Sequence, residues 1–273
     1  MNAATQPTPK TFAIGGDLIV NRLGYGAMRL TGQPSNFGPY ADWEGGKALL
    51  RRTVELGVNF IDTAEAYGPG DNENIIADAL HPYAKDLVIA TKGGIFKPAP
   101  GNIQADASPD SLRRGVEGSL QRLKLERIDL YQLHRPDPKV PFAESVQTLA
   151  TLQREGKIRH IGLSNVTLEQ LKKAQEIAAI ASVQNRFNQQ EQSQDSLVDY
   201  TAEQGIAFIP YGPLGAHPLR QGAALPTQEA LAWLLRRSPN IVVIPGTTSI
   251  THLEENMAVW NLLEADASSQ GAI

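Results

Sequence analysis

Ile128-Asp129-Leu130-Tyr131-Gln132-Leu133-His134 and Ile158-Arg159-His160-Ile161-Gly162-Leu163-Ser164-Asn165 are two short, largely apolar runs, each ending in polar residues. Between them Ala143, Val146, Leu149 and Leu152 recur at three-residue spacing, and Gly156 follows. Recurrence at three and four residues is the pattern of an amphipathic helix, and a glycine just beyond it supplies the left-handed residue that ends one. A strand, a helix and a second strand in that order predict two parallel strands joined by a crossover helix.

The unit repeats in both directions. Apolar runs at residues 23–25, 60–62 and 87–91 precede the quoted pair, and runs at 182–184, 206–210 and 241–245 come after it, making eight. Helical spacing recurs at Leu49, Leu50, Val54 and Leu56, at Leu112, Val116, Leu120 and Leu123, and at Leu231, Leu234 and Leu235. Boundary residues agree. Ser108 precedes Pro109 as a capping hydroxyl before a first-turn proline, and Thr167 with Gln170 has capping-box spacing. Gly57 and Gly205 stand where helices should stop. Eight such units predict an α/β chain folded as a (β/α)8 TIM barrel, and 273 residues suit a domain of ~250. Residues 11–14 and 18–20 flank Gly15-Gly16-Asp17 and predict an N-terminal β-hairpin. The expected organisation is a disordered lead-in over residues 1–10 and a single barrel domain over 11–273. Long loops are expected at 31–40 and 211–227.

Composition narrows the function. Lys and Arg number 25 against 29 Asp and Glu, a net charge of −4, so the basic excess of a nucleic-acid-binding surface is missing. There is no cysteine, which excludes disulfides, thiolate metal sites and cysteine nucleophiles and fits a reducing cytoplasm. No stretch approaches the ~20 apolar residues of a membrane helix, and residues 1–10 lack the apolar centre of a signal peptide. The expectation is a cytoplasmic chain with no nucleic-acid or membrane partner. No histidine pair has metal-binding spacing, so no metal site is expected.

Barrel chemistry sits at the C-terminal ends of the strands. Listing what ends each run gives Asp62 with Tyr67 five residues on, Lys92, His134, Ser164-Asn165, Gln184-Asn185, Tyr211 and Gly246-Thr247. Alone, each has a bland reading: Asp62 as a turn cap, Lys92 as a rim lysine, His134 as a satisfied strand-end histidine. Together they describe an acid site. A free tyrosine, of pKa ~10, is a weak donor at neutral pH, and an adjacent ammonium lowers that value. Lys92 is expected to do this for Tyr67, with Asp62 keeping Lys92 charged and His134 hydrogen-bonding the reacting oxygen. Such a set protonates an oxygen that gains negative charge, as a carbonyl oxygen does when hydride reaches its carbon. Asn165 and Gln184 suit a carboxamide, and Tyr211 offers a ring to stack on. Phe37, Tyr40 and Trp43, in the first long loop, are candidate liners of a substrate pocket.

These motifs resemble the aldo-keto reductase family. The resembling segments are Leu23-Gly24-Tyr25-Gly26-Ala27-Met28, Asn59-Phe60-Ile61-Asp62-Thr63-Ala64, Tyr67-Gly68, Ala90-Thr91-Lys92, Gln132-Leu133-His134, Ile161-Gly162-Leu163-Ser164-Asn165, Val183-Gln184-Asn185 and Ile244-Pro245-Gly246-Thr247 onward to Glu255-Asn256. The resemblance implies an NADPH-dependent carbonyl reductase, with Tyr67 as proton donor supported by Asp62, Lys92 and His134. It implies that Ser164, Asn165 and Gln184 hold the carboxamide and that Tyr211 stacks on the nicotinamide. Gly24, Met28, Gly212, Pro213, Leu214, Gly246, Thr247, Thr248, Ser249, His252, Glu255 and Asn256 would complete the cofactor site. Many members carry Lys at the position of Gly246 and Arg at that of His252, facing the 2′-phosphate. Their absence here leaves NADPH as the expected cofactor, with NADH possible but weaker. The substrate is expected to be a small or aromatic aldehyde, with pyridoxal a candidate because the chain is also similar to bacterial members that reduce it. The alternative is a nicotinamide-binding regulatory or partner subunit with little turnover.

Overall fold

The computed structural model describes residues 8–213 and 227–270, with side chains described through residue 265. The chain enters through a hairpin, β1 (Thr11–Ile14) and β2 (Leu18–Asn21), paired Ile14 to Leu18 across Gly15-Gly16-Asp17 as the glycine turn predicts. Ile14, Leu18 and Val20 are buried with Phe60, Val88, Leu130, Val242 and Ile244, so the hairpin packs on the barrel's inner residues. Asp17 at the turn accepts from Arg159 at 2.7 Å.

Strands and helices then alternate. β3 (Tyr25–Gly26) leads to α1 (Trp43–Glu55), β4 (Phe60–Asp62) to α2 (Asp71–Leu80), and β5 (Val88–Gly93) to α3 (Pro109–Leu123). Between β5 and α3 stands an antiparallel pair absent from the sequence expectation, β6 (Ile95–Ala99) and β7 (Asn102–Ala105). β8 (Ile128–Leu133) leads to α4 (Phe142–Arg154), β9 (Ile158–Ser164) to α5 (Leu168–Gln175), and β10 (Ile180–Gln184) to α6 (Asp195–Glu203). β11 (Ala207–Phe208) precedes α7 (Thr227–Arg237), and α8 (Ile250–Met257) and α9 (Val259–Gln270) end the described chain.

The seven strands from β3 to β11, leaving out the β6–β7 pair, form one parallel sheet in the order β11-β10-β9-β8-β5-β4-β3. Residues 241–245 close it without forming a regular strand. Phe208 bridges Ile241 and Leu23 bridges Val243, both in parallel. Val242 N–H donates to the Phe208 carbonyl at 2.9 Å and Gly24 N–H to the Val243 carbonyl at 2.8 Å. The expected strand at 206–210 is thus reduced to the two residues of β11, and that at 241–245 to isolated bridges; Pro210 and Pro245, at their ends, have no N–H to extend a ladder. Arg22 locks the seam. Fully buried, its guanidinium donates to the carbonyls of Ile241 (2.8 Å), Leu235 (2.8 Å), Ser238 (2.5 Å) and Pro9 (2.9 Å). Pro9 and Lys10, the end of the expected lead-in, are therefore hydrogen-bonded to the barrel through Arg22.

The expected helix boundaries form. Ser108 Oγ accepts from Ser111 N–H, Thr167 and Gln170 make a reciprocal capping box, and Gly57, Gly156 and Gly205 take left-handed φ. Among the described residues no helix is long and apolar enough to cross a membrane.

Candidate active site

Register decides what meets inside the barrel mouth. Lys92 on β5 lies opposite Gln132 on β8, and Gln132 opposite Gly162 on β9. Neighbours in a parallel sheet send side chains to the same face. A Cβ at Gly162 would stand 2.7 Å from the Gln132 side chain, so glycine there is what admits Gln132 to the inner layer. The loop after β4 is held by β5: Thr63 N–H donates to the Ala90 carbonyl (2.8 Å) and Glu65 N–H to the Lys92 carbonyl (3.1 Å). That hold brings Tyr67 back over Lys92.

The fully buried Lys92 ammonium donates to Asp62 Oδ2 at 2.6 Å, to the Thr63 carbonyl at 2.9 Å and to the Tyr67 hydroxyl at 3.4 Å. It also lies 5.1 Å from the Tyr67 ring centre. The second carboxylate oxygen of Asp62 accepts from Gln132 Nε2 (3.2 Å) and Gln184 Nε2 (2.9 Å). Asp62 is thus a buried anion met on both oxygens. Burial pulls the Lys92 ammonium down, but Asp62 and Tyr67 beside it prevail and hold it above the usual lysine range. At Tyr67 the balance differs from expectation. Burial pushes the phenol up by more than Lys92 pulls it down, so its pKa lies above the free value rather than below it. The expected depression took account of the charge and not of the desolvation.

His134 meets Tyr67 edge-on, with ring centres 5.8 Å apart. Burial and the Lys92 charge hold its imidazole well below the ordinary histidine range, so it is neutral at pH 7. Its Nδ1 is buried with no partner among the described residues. Asn165, in left-handed conformation at φ 57°, donates Nδ2 to the His134 carbonyl (3.1 Å) and to Ser164 Oγ (3.0 Å). Its Oδ1 accepts from the Tyr211 hydroxyl at 2.7 Å, which fixes that ring on the wall. Behind the site, burial pushes the Glu65 carboxyl up to about 7, with Arg122 opposing from 3.7 Å.

One cleft of about 800 Å³ runs past these groups. Asp62, Tyr67, His134, Ser164, Asn165, Gln184 and Tyr211 line it, as do Met28, Gly212 and Pro213. Gly246, Thr247, Thr248, Ser249, His252, Glu255 and Asn256 form its far end. Lys92 sits behind the wall, reaching the cleft through Tyr67. Gly24 is not on the wall: it is buried in the seam, where its N–H meets the Val243 carbonyl. Leu214 lies outside the described residues. Phe37, Tyr40 and Trp43 do not line the cleft either. Trp43 begins α1, where it and Tyr40 pack on the apolar layer beneath. Asn36, Ile95, Lys97, Ile103 and Arg135 line the cleft instead. Sequence reasoning missed these and Gln132, although a glutamine inside an apolar run was the signal for Gln132.

The donor set fits a long, polar, phosphate-bearing ligand. Amides and hydroxyls of Ser164, Asn165 and Gln184 stand at one end. Hydroxyls of Thr247, Thr248 and Ser249 lead into the start of α8 at the other, where Thr247 and Ser249 accept from the Ser249 and His252 N–H groups and the helix N-terminus favours anions. The floor between is bare backbone, because a Cβ at Gly246 would stand 2.6 Å from the Gly26 carbonyl oxygen. Among the described residues no group of three or more His, Cys, Asp or Glu is placed to hold a metal.

The profile of the Aldo/keto reductase family matches residues 22–225. The chain belongs to this family. As a family member it is 42% identical over 269 residues to the pyridoxine 4-dehydrogenase of Escherichia coli, covering 92% of this chain and 93% of that protein. Among solved structures it is similar to the glycerol dehydrogenase of Gluconobacter oxydans, with TM-score 0.82, 25% identity, and 96% and 94% of the two chains covered. An aldo/keto reductase of Klebsiella pneumoniae, solved in complex with NADP and acetate, matches with TM-score 0.76 and 25% identity over 95% and 94%. These likenesses accord with the barrel and with an oxidoreductase.

Proposed function

We propose that this chain is a cytoplasmic, NADPH-dependent reductase of aldehydes or ketones, with small and aromatic aldehydes, pyridoxal among them, as substrates and Tyr67 as proton donor. The observation that carries the reading is the Tyr67 hydroxyl, on the cleft wall and 3.4 Å from a Lys92 ammonium that Asp62 holds at 2.6 Å. The name of the pyridoxine 4-dehydrogenase relative supports pyridoxal as a substrate, and the Klebsiella complex supports the cofactor.

When bound, reduced nicotinamide supplies hydride to the carbonyl carbon. Ser164, Asn165 and Gln184 would hold its carboxamide and Tyr211 would stack on its ring. Tyr67 gives its proton to the carbonyl oxygen as that oxygen gains charge. The phenolate left behind faces the Lys92 ammonium, and Asp62 keeps that ammonium charged throughout. Neutral His134 hydrogen-bonds the reacting oxygen without adding a competing charge. In the reverse direction the phenolate takes the proton of an alcohol. The intact set disfavours a partner subunit without turnover, which has no use for an acid beside Lys92. With Gly246 and His252 where cations would face a 2′-phosphate, NADPH binds less tightly than in members carrying them, and NADH is a weaker second cofactor.

The test is loss of NADPH absorbance on adding 4-nitrobenzaldehyde or pyridoxal. Consumption with either, abolished in Tyr67→Phe, supports the reading. Tight NADPH binding with no consumption across an aldehyde panel points to the partner-subunit reading instead.

A further inference from the structure

Lys97, on β6, is buried to 6% exposure and lines the cleft, yet among the described residues no carboxylate holds it. Its ammonium donates to two backbone carbonyls, Asn36 at 2.6 Å and Ser35 at 3.4 Å. The third proton has no partner among the described residues. A buried cation with no counter-ion is costly, and burial alone holds this ammonium below the usual lysine range. Its position is informative. The Asn36 carbonyl that accepts from Lys97 also accepts, at 3.3 Å, from the N–H of Gly68, the residue after Tyr67. Arg135, which follows His134, lines the same cleft with an exposed side chain and no ion pair among the described residues. Both cations are close enough to act on the His134 imidazole. The acids on the wall do not answer them: Asp62 is taken by Lys92, and Glu255 stands on α8 at the far end. Ile95 and Ile103, from the β6–β7 pair, supply apolar wall beside the two cations.

We propose that Lys97 and Arg135 form an anion-recognising subsite, so that the preferred carbonyl substrates carry an anionic oxygen, carboxylate or phenolate, beyond an apolar or aromatic body. This rests on the reductase reading and names its substrate class. Lys97 is the stronger partner because it is buried and already held in place. Arg135, exposed and screened, adds less.

Two matched pairs test it: 4-carboxybenzaldehyde against its methyl ester, and pyridoxal against its 3-O-methyl ether. The first reads carboxylate as the source of the anion, the second phenolate. The charged member of at least one pair should have kcat/KM higher by about tenfold or more, carried mainly in KM, the size of one charge-assisted hydrogen bond. In Lys97→Met that ratio should fall to within about threefold of unity. Should Lys97→Met fail to fold, because residues 35 and 36 lose their tie, Arg135→Met decides, since the Arg135 side chain makes no hydrogen bond or ion pair among the described residues. Its ratio should fall by at least about threefold. No preference in the wild type, or a preference unchanged in the variants, overturns the proposal. Should no aldehyde be turned over, the reductase reading fails separately, and ligand-observed NMR decides the subsite. There 4-(hydroxymethyl)benzoate should bind about tenfold more tightly than its methyl ester, and equal binding overturns the subsite.

Discussion

Asp62→Asn removes one charge and leaves the shape, and the partners of the carboxylate set the cost. In the native protein one oxygen of Asp62 meets the Lys92 ammonium at 2.6 Å and the other meets two glutamine amides at 3.2 and 2.9 Å. All three partners are donors. An asparagine offers one acceptor and one donor, so its NH₂ must face either the ammonium or both glutamines. Lys92, 0% exposed, then becomes a buried cation without a counter-ion. Removing one partner of a buried pair costs ~3–5 kcal/mol, a large share of the ~5–15 kcal/mol that holds a folded domain. The pH dependence carries the sign. Without Asp62, burial is the leading influence on Lys92 and its folded pKa falls below the unfolded ~10.4. The unfolded state then binds more protons over the window between the two values, so the variant gains stability relative to wild type as pH rises through it. Urea unfolding of both proteins at about pH 6.5 and about pH 9.5 reads the effect, with equal m-values required for the comparison. Turnover should fall together with stability, because an uncharged Lys92 no longer stabilises the Tyr67 phenolate. A variant within about 1 kcal/mol of wild type at the lower pH, or a penalty that grows as pH rises, would refute this account of the pair.

Tyr67→Phe should cut kcat by at least ~10²-fold while NADPH affinity, measured by fluorescence titration, barely moves. Because burial raises the Tyr67 phenol and holds His134 neutral, single-turnover reduction should stay flat from about pH 7 to about 9 and decline only above tyrosine's free value of ~10, while alcohol oxidation climbs over that same upper window. Gly246→Lys should destabilise the barrel by ~1–3 kcal/mol, since its Cβ meets the Gly26 carbonyl, whereas His252→Arg, at an exposed position, should tighten NADPH and not NADH without a change in Tm. Glu65, with a folded pKa of about 7 against 4.5, favours its protonated form in the fold, so its contribution declines as pH rises from the lower value through the higher. The side chain is about one-third exposed, so Glu65→Gln should gain only ~1 kcal/mol over wild type between about pH 5 and about pH 8 in paired denaturation curves.

The barrel was legible because buried parallel strands read as brief apolar runs between helical spacings. The register set by those runs brings Lys92, Gln132 and Gly162 into line. Two parts escaped for reasons of chemistry. β6 contains Pro98, while Pro100 and Gly101 separate it from β7, and the pair leaves Phe96 and Ile103 exposed, so neither periodicity nor burial marked them as strands. Residues 241–245 read as a strand yet are held by single bridges and by Arg22, whose carbonyl partners are Pro9 and, far along the chain, Leu235, Ser238 and Ile241. A lone arginine at the start of an apolar run gives no hint of that.

At the site, the strand-end rule picked out Asp62, Tyr67, His134, Ser164, Asn165, Gln184 and Tyr211, which the folded chain brings to one cleft, with Lys92 behind its wall, because position along a strand is written in the sequence. The surroundings of each group are not. Tyr67 illustrates the difference. Charge counting predicts a phenol made more acidic by Lys92, and the folded protein makes it less acidic, because the same walls that bring the ammonium to 3.4 Å also exclude water from the phenolate. Lys97 illustrates it from the other side. Its neighbours Phe96 and Pro98 mark nothing, and only folding reveals an ammonium buried beside the Tyr67 loop with, among the described residues, carbonyls alone as partners. Desolvation depends on the whole packing and charge on single residues. In the reductase mechanism proposed above, a tyrosine kept protonated by burial would stay loaded across the working pH range and give its proton only when the carbonyl oxygen becomes basic enough to take it.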